Sequence, residues 1–328
     1  MKNTLKYNPR NSALKIKLPV LDPQEDYECW YFESILDNGD QIRISVRINE
    51  TYNLPVAYGV QVEHIESGKI RVISDSFSSD EVEFSTEELN HKLGNNWFLD
   101  LGDHIEIHTE INCTIIDLKF YPEITGFNNR RDGRINQNIP GTKYFSWNIP
   151  IPKALIKGFI KRDGQKIEVK GTGYFDHFWS NSLPENNINQ LCWGKIFDKD
   201  ISIYYTLISE DEKSISSKLI IANKENVILK MQGSSYNDIL KVKVLEYIKR
   251  DELEITVPSK ILLQHNGEFC YININIELDE INHEIVSENH RLGGKKVLRF
   301  IGNESYTIKK DGKELSGTTK SLHEIIVF

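Results

Sequence analysis

One stretch decides how this sequence is interpreted: Gly171-Thr172-Gly173-Tyr174-Phe175-Asp176-His177-Phe178-Trp179. Two glycines make a helix costly over so short a run, whereas aromatic residues suit the half-buried surface of a strand. Side chains in a strand alternate between its faces, so Phe175, His177 and Trp179 share one face. The stretch therefore predicts a strand that carries an imidazole between two large rings. Such a face is either a packed seam or the wall of an apolar cavity.

The same strand pattern recurs on both sides of this stretch. Residues 28–36 run into the hairpin turn Asp37-Asn38-Gly39-Asp40, and residues 42–48 alternate cleanly after it. Short strands separated by turn signals, without a long amphipathic helix, predict an all-β fold of sandwich or barrel type. The polar segment around Pro184 divides them into two expected domains, 1–184 and 185–328. Residues 126–141, rich in Asn, Arg and Gly, predict a long surface loop.

Composition narrows the function classes. The 328 residues carry a net charge of −8, which argues against nonspecific binding of nucleic acid. No secretory signal and no apolar run of membrane-spanning length is visible, so we expect a cytoplasmic protein without a transmembrane segment. Four dispersed cysteines match no zinc spacing and indicate reduced, buried thiols. The motifs G-x-S-x-G, the P-loop and the Rossmann fingerprint are absent, which leaves hydrolase, kinase and dehydrogenase interpretations unsupported.

Two polar residues stand out as candidates for proton transfer. His177 is either a general acid or base in an apolar pocket, or a core histidine bonded to the backbone. Glu28 shares a strand face with Trp30, so it is either a buried carboxyl able to donate a proton, or an exposed or salt-bridged glutamate beside a core tryptophan. Asp176 and His177 face opposite ways and cannot pair with each other.

Other side chains suggest a ligand site less directly. Four aromatic residues either line one cavity, where their ring faces would stabilise a cation, or pack in the core: Trp147, Trp193, Tyr204 and Tyr205. His104 and His108 lie four residues apart, which on a helix would suggest a metal. In an alternating strand they only share a face, so we expect no metal there.

Several motifs together resemble those of a known superfamily. Glu28-Cys29-Trp30-Tyr31-Phe32 resembles its E-x-W-Y signature, and residues 171–179 resemble its G-x-G-Y-x-D-H-x-W block. Residues 146–152 and Cys192-Trp193-Gly194-Lys195 resemble the segments before and after that block. The superfamily is the lipocalin-like one that contains carotenoid hydratases (hydroxyneurosporene synthase type) and fungal lipocalin-like Diels–Alderases. The resemblance spans roughly residues 28–195.

The resemblance implies two tandem lipocalin-like (calycin) β domains of barrel or sandwich type, an apolar pocket in or between them, and no organic cofactor. His177 and Trp179 match the pocket-lining histidine and tryptophan of the family, and Tyr204 or Tyr205 matches a pocket tyrosine of the hydratases. Residues 203–208 offer no carboxylate where those hydratases carry an aspartic acid. This departure disfavours carotenoid hydration and favours holding a folded polyene.

We therefore expect a cofactor-free intramolecular cyclase, Diels–Alderase-like and of [4+2] type, acting on a hydrophobic polyene precursor of a natural product. The alternatives are an acid-catalysed hydratase or cyclase of a carotenoid or isoprenoid alkene, and a carrier of lipid or pigment without chemistry. The expected catalytic residues are His177, Tyr204, Tyr205 and Glu28. The expected substrate-binding residues are Trp30, Trp147, Phe175, Trp179 and Trp193.

Overall fold

The structure is a computed structural model that describes residues 27–48, 58–66, 69–85, 88–124, 134–135, 145–180, 188–198, 201–209, 215–223, 227–234, 240–286 and 296–327. The chain divides into two compact units, Met1–Leu183 and Pro184–Phe328. The expected surface loop 126–141 lies outside the described residues except for Arg134–Ile135. Besides strands, the described residues contain two 3₁₀ turns, Ser79–Glu81 and Asp251–Leu253, and no helix among them is long and apolar enough to cross a membrane.

Unit 1 is one antiparallel sheet of twelve strands. Its strands are β1 (Tyr27–Leu36), β2 (Gln41–Ile48), β3 (Tyr58–Glu66), β4 (Lys69–Phe77), β5 (Val82–Phe84), β6 (Asn90–Leu93), β7 (Asn96–Asp100), β8 (Ile105–Ile111), β9 (Thr114–Ile124), β10 (Arg134–Ile135), β11 (Phe145–Arg162) and β12 (Gln165–Ser180). Their spatial order is β4-β3-β2-β1-β12-β11-β9-β8-β7-β6-β5, with β10 beside β11. The first strand therefore pairs with the last.

Unit 2 repeats this plan with nine strands. They are β13 (Gln190–Phe197), β14 (Ile201–Ser209), β15 (Ile215–Asn223), β16 (Val227–Ser234), β17 (Lys241–Arg250), β18 (Ile255–Asn266), β19 (Cys270–Val286), β20 (Lys296–Lys310) and β21 (Lys313–Val327). The order is β16-β15-β14-β13-β21-β20-β19-β18-β17, so the first and last strands again lie side by side. Both sheets curl until they nearly close, and the expected tandem lipocalin-like β architecture is confirmed.

The central stretch forms the second half of β12, as its strand period predicts. Its two glycines lie where side chains would collide. A Cβ on Gly171 would come 2.1 Å from the carbonyl oxygen of Ile35, and a Cβ on Gly173 would come 2.2 Å from Cδ1 of Ile156. Close approach of the β1 backbone therefore explains Gly171, and core side chains packed over the strand explain Gly173.

Two features of the sequence set the local geometry of the long strand β11. It meets β12 in a tight turn at Asp163 and Gly164, both of which have positive φ. Its pairing with β12 shifts register between Asn148 and Ala154, where Pro150 and Pro152 cannot donate backbone hydrogen bonds. The prolines thus bend β11 beside the candidate site.

The four cysteines are reduced thiols. Cys29 and Cys192 are buried, but the expectation of burial is wrong for Cys113, which is exposed, and for Cys270, which is half-buried. Cys113 lies in the turn between β8 and β9 with φ at 62°, so its side chain projects from the end of the hairpin.

Candidate functional site

A hydrogen-bonded Glu–His pair lies on the inner face of unit 1. His177 Nε2 is 2.7 Å from Glu28 Oε1, and both side chains are almost fully buried. In the register of β1 and β12, Glu28 lies opposite Trp179 and His177 lies opposite Trp30, so the bond runs diagonally across the strand pair. The second carboxylate oxygen of Glu28 has no hydrogen-bond partner among the described residues.

Two indoles hold the imidazole of His177 in place. Trp30 stacks on it with a centroid distance of 4.7 Å and an interplanar angle of 8°, and Trp179 lies 4.9 Å away at 29°. Trp179 and His177 are two residues apart on β12, and Trp30 is the cross-strand neighbour, so the strand period itself builds the stack. Indole faces also favour positive charge beside them.

The stack rests on an apolar core. Phe175, one step further along the same face, stacks on Phe32 at 4.2 Å and 8°, and both are buried in the hydrophobic core of unit 1. Phe175, His177 and Trp179 thus share the inner face, while Tyr174 and Asp176 are buried on the opposite face of the sheet.

The structure adds His91, on β6, which the sequence analysis did not single out. Its ring meets Trp30 edge-on at 4.5 Å and lies 4.3 Å from Phe84. His91 is 2 % exposed, and neither of its ring nitrogens has a hydrogen-bond partner among the described residues. Burial lowers the pKa of His91 to about 3, so its imidazole is neutral near pH 7. A polar residue that packs among aromatic rings gives no pattern that sequence reasoning could have used.

Trp147, expected to line the same cavity, does not lie on the inner face. It pairs with Phe178 across β11 and β12, whereas Asn148 pairs with His177. Cross-strand partners project to the same side, so Trp147 is buried on the face opposite to His177. The register of β11 against β12 decides on which face Trp147 lies. The alternation within a single strand does not reveal that register.

Tyr205 belongs to a second buried chain of polar groups, inside unit 2. Its hydroxyl is 2.7 Å from Nδ1 of His323, and Nε2 of His323 is 2.5 Å from Glu304 Oε1. Burial raises the pKa of Tyr205 well above its usual range, so the phenol stays protonated within this hydrogen-bonded chain. Burial also raises the pKa of the neighbouring Cys192 thiol to about 12.

Two glycines leave the space that the Tyr205–His323–Glu304 hydrogen bonds need. Gly194 lies between Tyr205 and His323 in the sheet, and a Cβ there would be 2.1 Å from His323 Nδ1. A Cβ on Gly302 would be 2.7 Å from His323 Nε2. The imidazole thus occupies the space above two glycines, which is why Tyr205 and Glu304 can reach it from either side.

Tyr204 and Trp193 lie on the other face of the unit 2 sheet, since they alternate with the inward-facing Tyr205 and Cys192. The indole of Trp193 donates to Glu324 at 3.1 Å, and Glu324 also accepts from Arg299 at 2.7 Å. Tyr204 is fully buried, and burial raises its pKa. The expected catalytic and binding residues of unit 2 therefore divide between two faces.

His104 and His108 each have a carboxylate partner of their own. Nδ1 of His108 is 2.7 Å from Asp117, and its ring stacks on Trp97 at 3.7 Å. His104 bonds Asp103 at 2.6 Å. Within the described part of the chain, no cluster of three or more His, Cys, Asp or Glu side chains could hold a metal ion.

Solved structures share this architecture across nearly the whole chain. A protein assigned as AttH from Nitrosomonas europaea matches with a TM-score of 0.65 at 16% identity, over 94% of this chain and 98% of that one. Kievitone hydratase from Nectria haematococca matches with a TM-score of 0.57 at 13% sequence identity, over 98% of both chains. CghA matches with a TM-score of 0.65 at 10% sequence identity, over 97% of this chain and 92% of that one.

The chain has the two-domain lipocalin-like fold of these proteins. At this identity the likeness establishes the fold, and the resemblance inferred from the motifs is confirmed at that level. No family model matches the sequence, and no curated protein does.

Within this fold the two units place a histidine alike. His177 and His323 both lie on the inner face of the last strand of their unit, and both bond a buried glutamate. Across from them on the first strand stand Trp30 in unit 1 and Gly194 in unit 2. The indole of Trp30 covers His177, whereas Gly194 has no side chain and lets Tyr205 reach His323.

Proposed function

We propose that the protein is an enzyme that transfers a proton to a carbon–carbon double bond of an apolar small molecule, leading to hydration or cyclisation. The observation that carries this proposal is the buried Glu28–His177 bond, with the second oxygen of Glu28 lacking a partner among the described residues. A carboxyl group serves as a general acid when it carries a proton beside the reacting carbon.

The chemistry needs only this pair and water. Protonated Glu28 delivers its proton to one alkene carbon, which leaves a cation on the other carbon and a carboxylate held by Nε2–H of His177. In hydration, water attacks the cation and its surplus proton returns to Glu28. In cyclisation, a second double bond of the same molecule attacks instead, and the final proton loss returns the proton to Glu28. The indoles of Trp30 and Trp179 stabilise the positive charge.

Two further observations agree with this class of reaction. The inner face around the pair is walled by Trp30, Trp179 and Phe84, which suits a hydrophobic substrate. One protein of this fold is named a hydratase, and CghA has been crystallised with the compound Sch210972. Both support a small-molecule site in proteins of this architecture.

A second candidate is a cyclase of [4+2] type that uses no acid. It is favoured by the stack of Trp30, His177 and Trp179, an aromatic wall against which a polyene can be held folded. Holding reacting ends close can remove up to about 7–11 kcal/mol of a barrier. In this candidate His177 acts as a hydrogen-bond donor rather than as part of an acid.

The two candidates differ in their response to Glu28→Gln, which keeps the shape of the side chain but removes the acid. Purified protein is incubated in ¹⁸O-labelled water with isoprenoid and phenolic alkenes and with linear polyenes, and products are followed by mass. Proton transfer predicts a loss of about 10²–10⁴-fold in Glu28→Gln. Full activity of this variant with formation of an isomer would support the [4+2] cyclase and refute acid catalysis. Recovery of every compound unchanged from wild-type protein that binds it would indicate a carrier.

The chain supplies a matched control. Asp117, His108 and Trp97 repeat the carboxylate, imidazole and indole arrangement at the partly exposed outer face of the same sheet. Asp117→Asn should leave turnover unchanged. Equal losses in both variants would show that the effect of Glu28→Gln is not specific to the site.

A further inference from the structure

Trp30, the indole that stacks on His177, also contacts a buried histidine that makes no hydrogen bond to the described residues by geometric criteria. His91 pairs with Phe98 across β6 and β7, which places its side chain on the inner face of unit 1. Its ring contacts Trp30 and Phe84, and it is almost fully buried. Phenylalanine would fill such a position without burying polar atoms.

By hydrogen-bond geometry, the described residues leave both ring nitrogens of His91 available. The backbone of Asn90 raises its pKa slightly, but hydrogen-bond geometry gives neither ring nitrogen a partner among the described residues. As a neutral imidazole it offers one N–H donor and one bare nitrogen acceptor. Buried polar groups are usually satisfied, so an imidazole without a partner among the described residues is open to a hydrogen bond from a ligand or a water molecule.

The position of His91 restricts what that group is. Both imidazoles contact Trp30, so the ring centres of His91 and His177 are at most about 9 Å apart. The carboxyl of Glu28 is beside His177, whereas aromatic rings surround His91. A neutral polar group is therefore favoured over a charged one, because a charge there would lose its hydration without an opposite charge to replace it.

We propose that His91 binds a hydroxyl group of an otherwise apolar substrate, and so fixes which double bond lies next to Glu28. A hydroxyl can donate to the bare nitrogen or accept from the N–H, so either tautomer of His91 serves. This inference rests on the proposed function, since it assigns the substrate class of the same site: an alcohol or phenol whose hydroxyl reaches His91 while its double bond lies next to Glu28.

The test is binding of matched pairs, each a hydroxylated compound beside its deoxy analogue: farnesol with farnesene, and 4-hydroxystilbene with stilbene. Dissociation constants are measured by calorimetry for the wild type, His91→Phe, His91→Gln and the outer-face control His108→Phe. Wild type and control should prefer the hydroxylated member by about 5- to 100-fold, the range expected for one buried hydrogen bond. His91→Phe should lose the preference while still binding the hydrocarbon, and His91→Gln should retain part of it.

A second measurement needs no ligand. Because His91 has no partner to lose among the described residues, His91→Phe should keep or raise the melting temperature near pH 7. A marked fall would give His91 a structural role and overturn the proposal. The absence of any hydroxyl preference in the wild type, failure to bind either pair, or a preference that survives in His91→Phe would overturn it as well.

Failure of acid catalysis gives a different result. If Glu28→Gln retains turnover but the hydroxyl preference still depends on His91, the proposed reaction is wrong and the binding role of His91 stands. If Glu28→Gln abolishes turnover and the preference is absent, the reaction stands and the role of His91 is wrong.

Discussion

Replacing His91 by phenylalanine should make unit 1 resist acid better than the wild type does. Burial lowers the folded-state pKa of His91 to about 3, while the unfolded chain takes up the proton near its ordinary value of 6.5. The stability that depends on a neutral His91 is therefore fully present above about pH 6.5 and is lost as the pH falls towards 3.

The size of the effect follows from the shift. Between about pH 6 and pH 4 only the unfolded state binds the extra proton, so the wild type loses about 1.4 kcal/mol per pH unit through this residue. Over the whole window the loss is about 5 kcal/mol, comparable with the entire stability of many domains. The variant has no proton to bind at this position and should not show this loss.

The assay is urea unfolding at several values between about pH 4 and pH 7.5, followed by tryptophan fluorescence. Four of the five tryptophans lie in unit 1 (Trp30, Trp97, Trp147 and Trp179), so the signal reports mainly its unfolding. Other groups titrate in both proteins, so the measured quantity is the wild-type free energy of unfolding minus that of the variant, which should fall with decreasing pH.

His91→Gln serves as the control, because it also removes the titrating group but packs differently. Both variants should give the same pH slope relative to the wild type, with different offsets. A difference that does not change with pH would refute the assignment of a neutral, buried His91.

Three further outcomes test other parts of the structure. Gly194→Ala should cost unit 2 about 2–4 kcal/mol, because its methyl group overlaps the imidazole of His323 and breaks the bond to Tyr205; chemical unfolding that matches the wild type would contradict this. Burial lowers the pKa of Lys218 to about 7, so above that pH the unfolded chain binds a proton that the folded chain does not. The wild-type free energy of unfolding minus that of Lys218→Met should therefore rise by about 1.4 kcal/mol per pH unit between about pH 7.5 and 9.5. A difference that does not change with pH would contradict the lowered pKa. Trp179→Ala should cost about 3–5 kcal/mol in thermal unfolding if the indole is core, and a smaller loss accompanied by weaker ligand binding would assign it to the site instead.

Local patterns in the sequence were sufficient for the fold and for the side chains that share one face of β12, while the catalytic roles of these residues stay predictions. The alternation in residues 171–179 correctly placed Phe175, His177 and Trp179 together, because a strand allows only two directions for its side chains. Glu28 and His177 were also recognised, each beside a tryptophan. Their bond was not foreseen, since it joins residues 149 positions apart.

The errors have the same cause. Trp147 was grouped with His177, yet the register of β11 against β12 turns it to the other face. Tyr204 and Tyr205 were treated as equivalent, although adjacent strand residues must diverge, and only Gly194 explains why Tyr205 meets His323. Long-range register and the space left by glycines belong to the folded sheet and leave no local signature.

Pairing of the first strand with the last also has a consequence for synthesis on the ribosome. Glu28 emerges 149 residues before His177, and at about 5–20 residues per second β1 waits roughly 7–30 s for β12. During that interval β1 can pair with β2 but keeps its other edge open, which is a template for pairing with another nascent chain. Contacts of such long range also close slowly after release. The amount of folded protein recovered from cells should therefore depend on how quickly the first and last strands of each unit pair. Polar substitutions in β1 would test this dependence by changing how readily its unpaired edge associates with another chain.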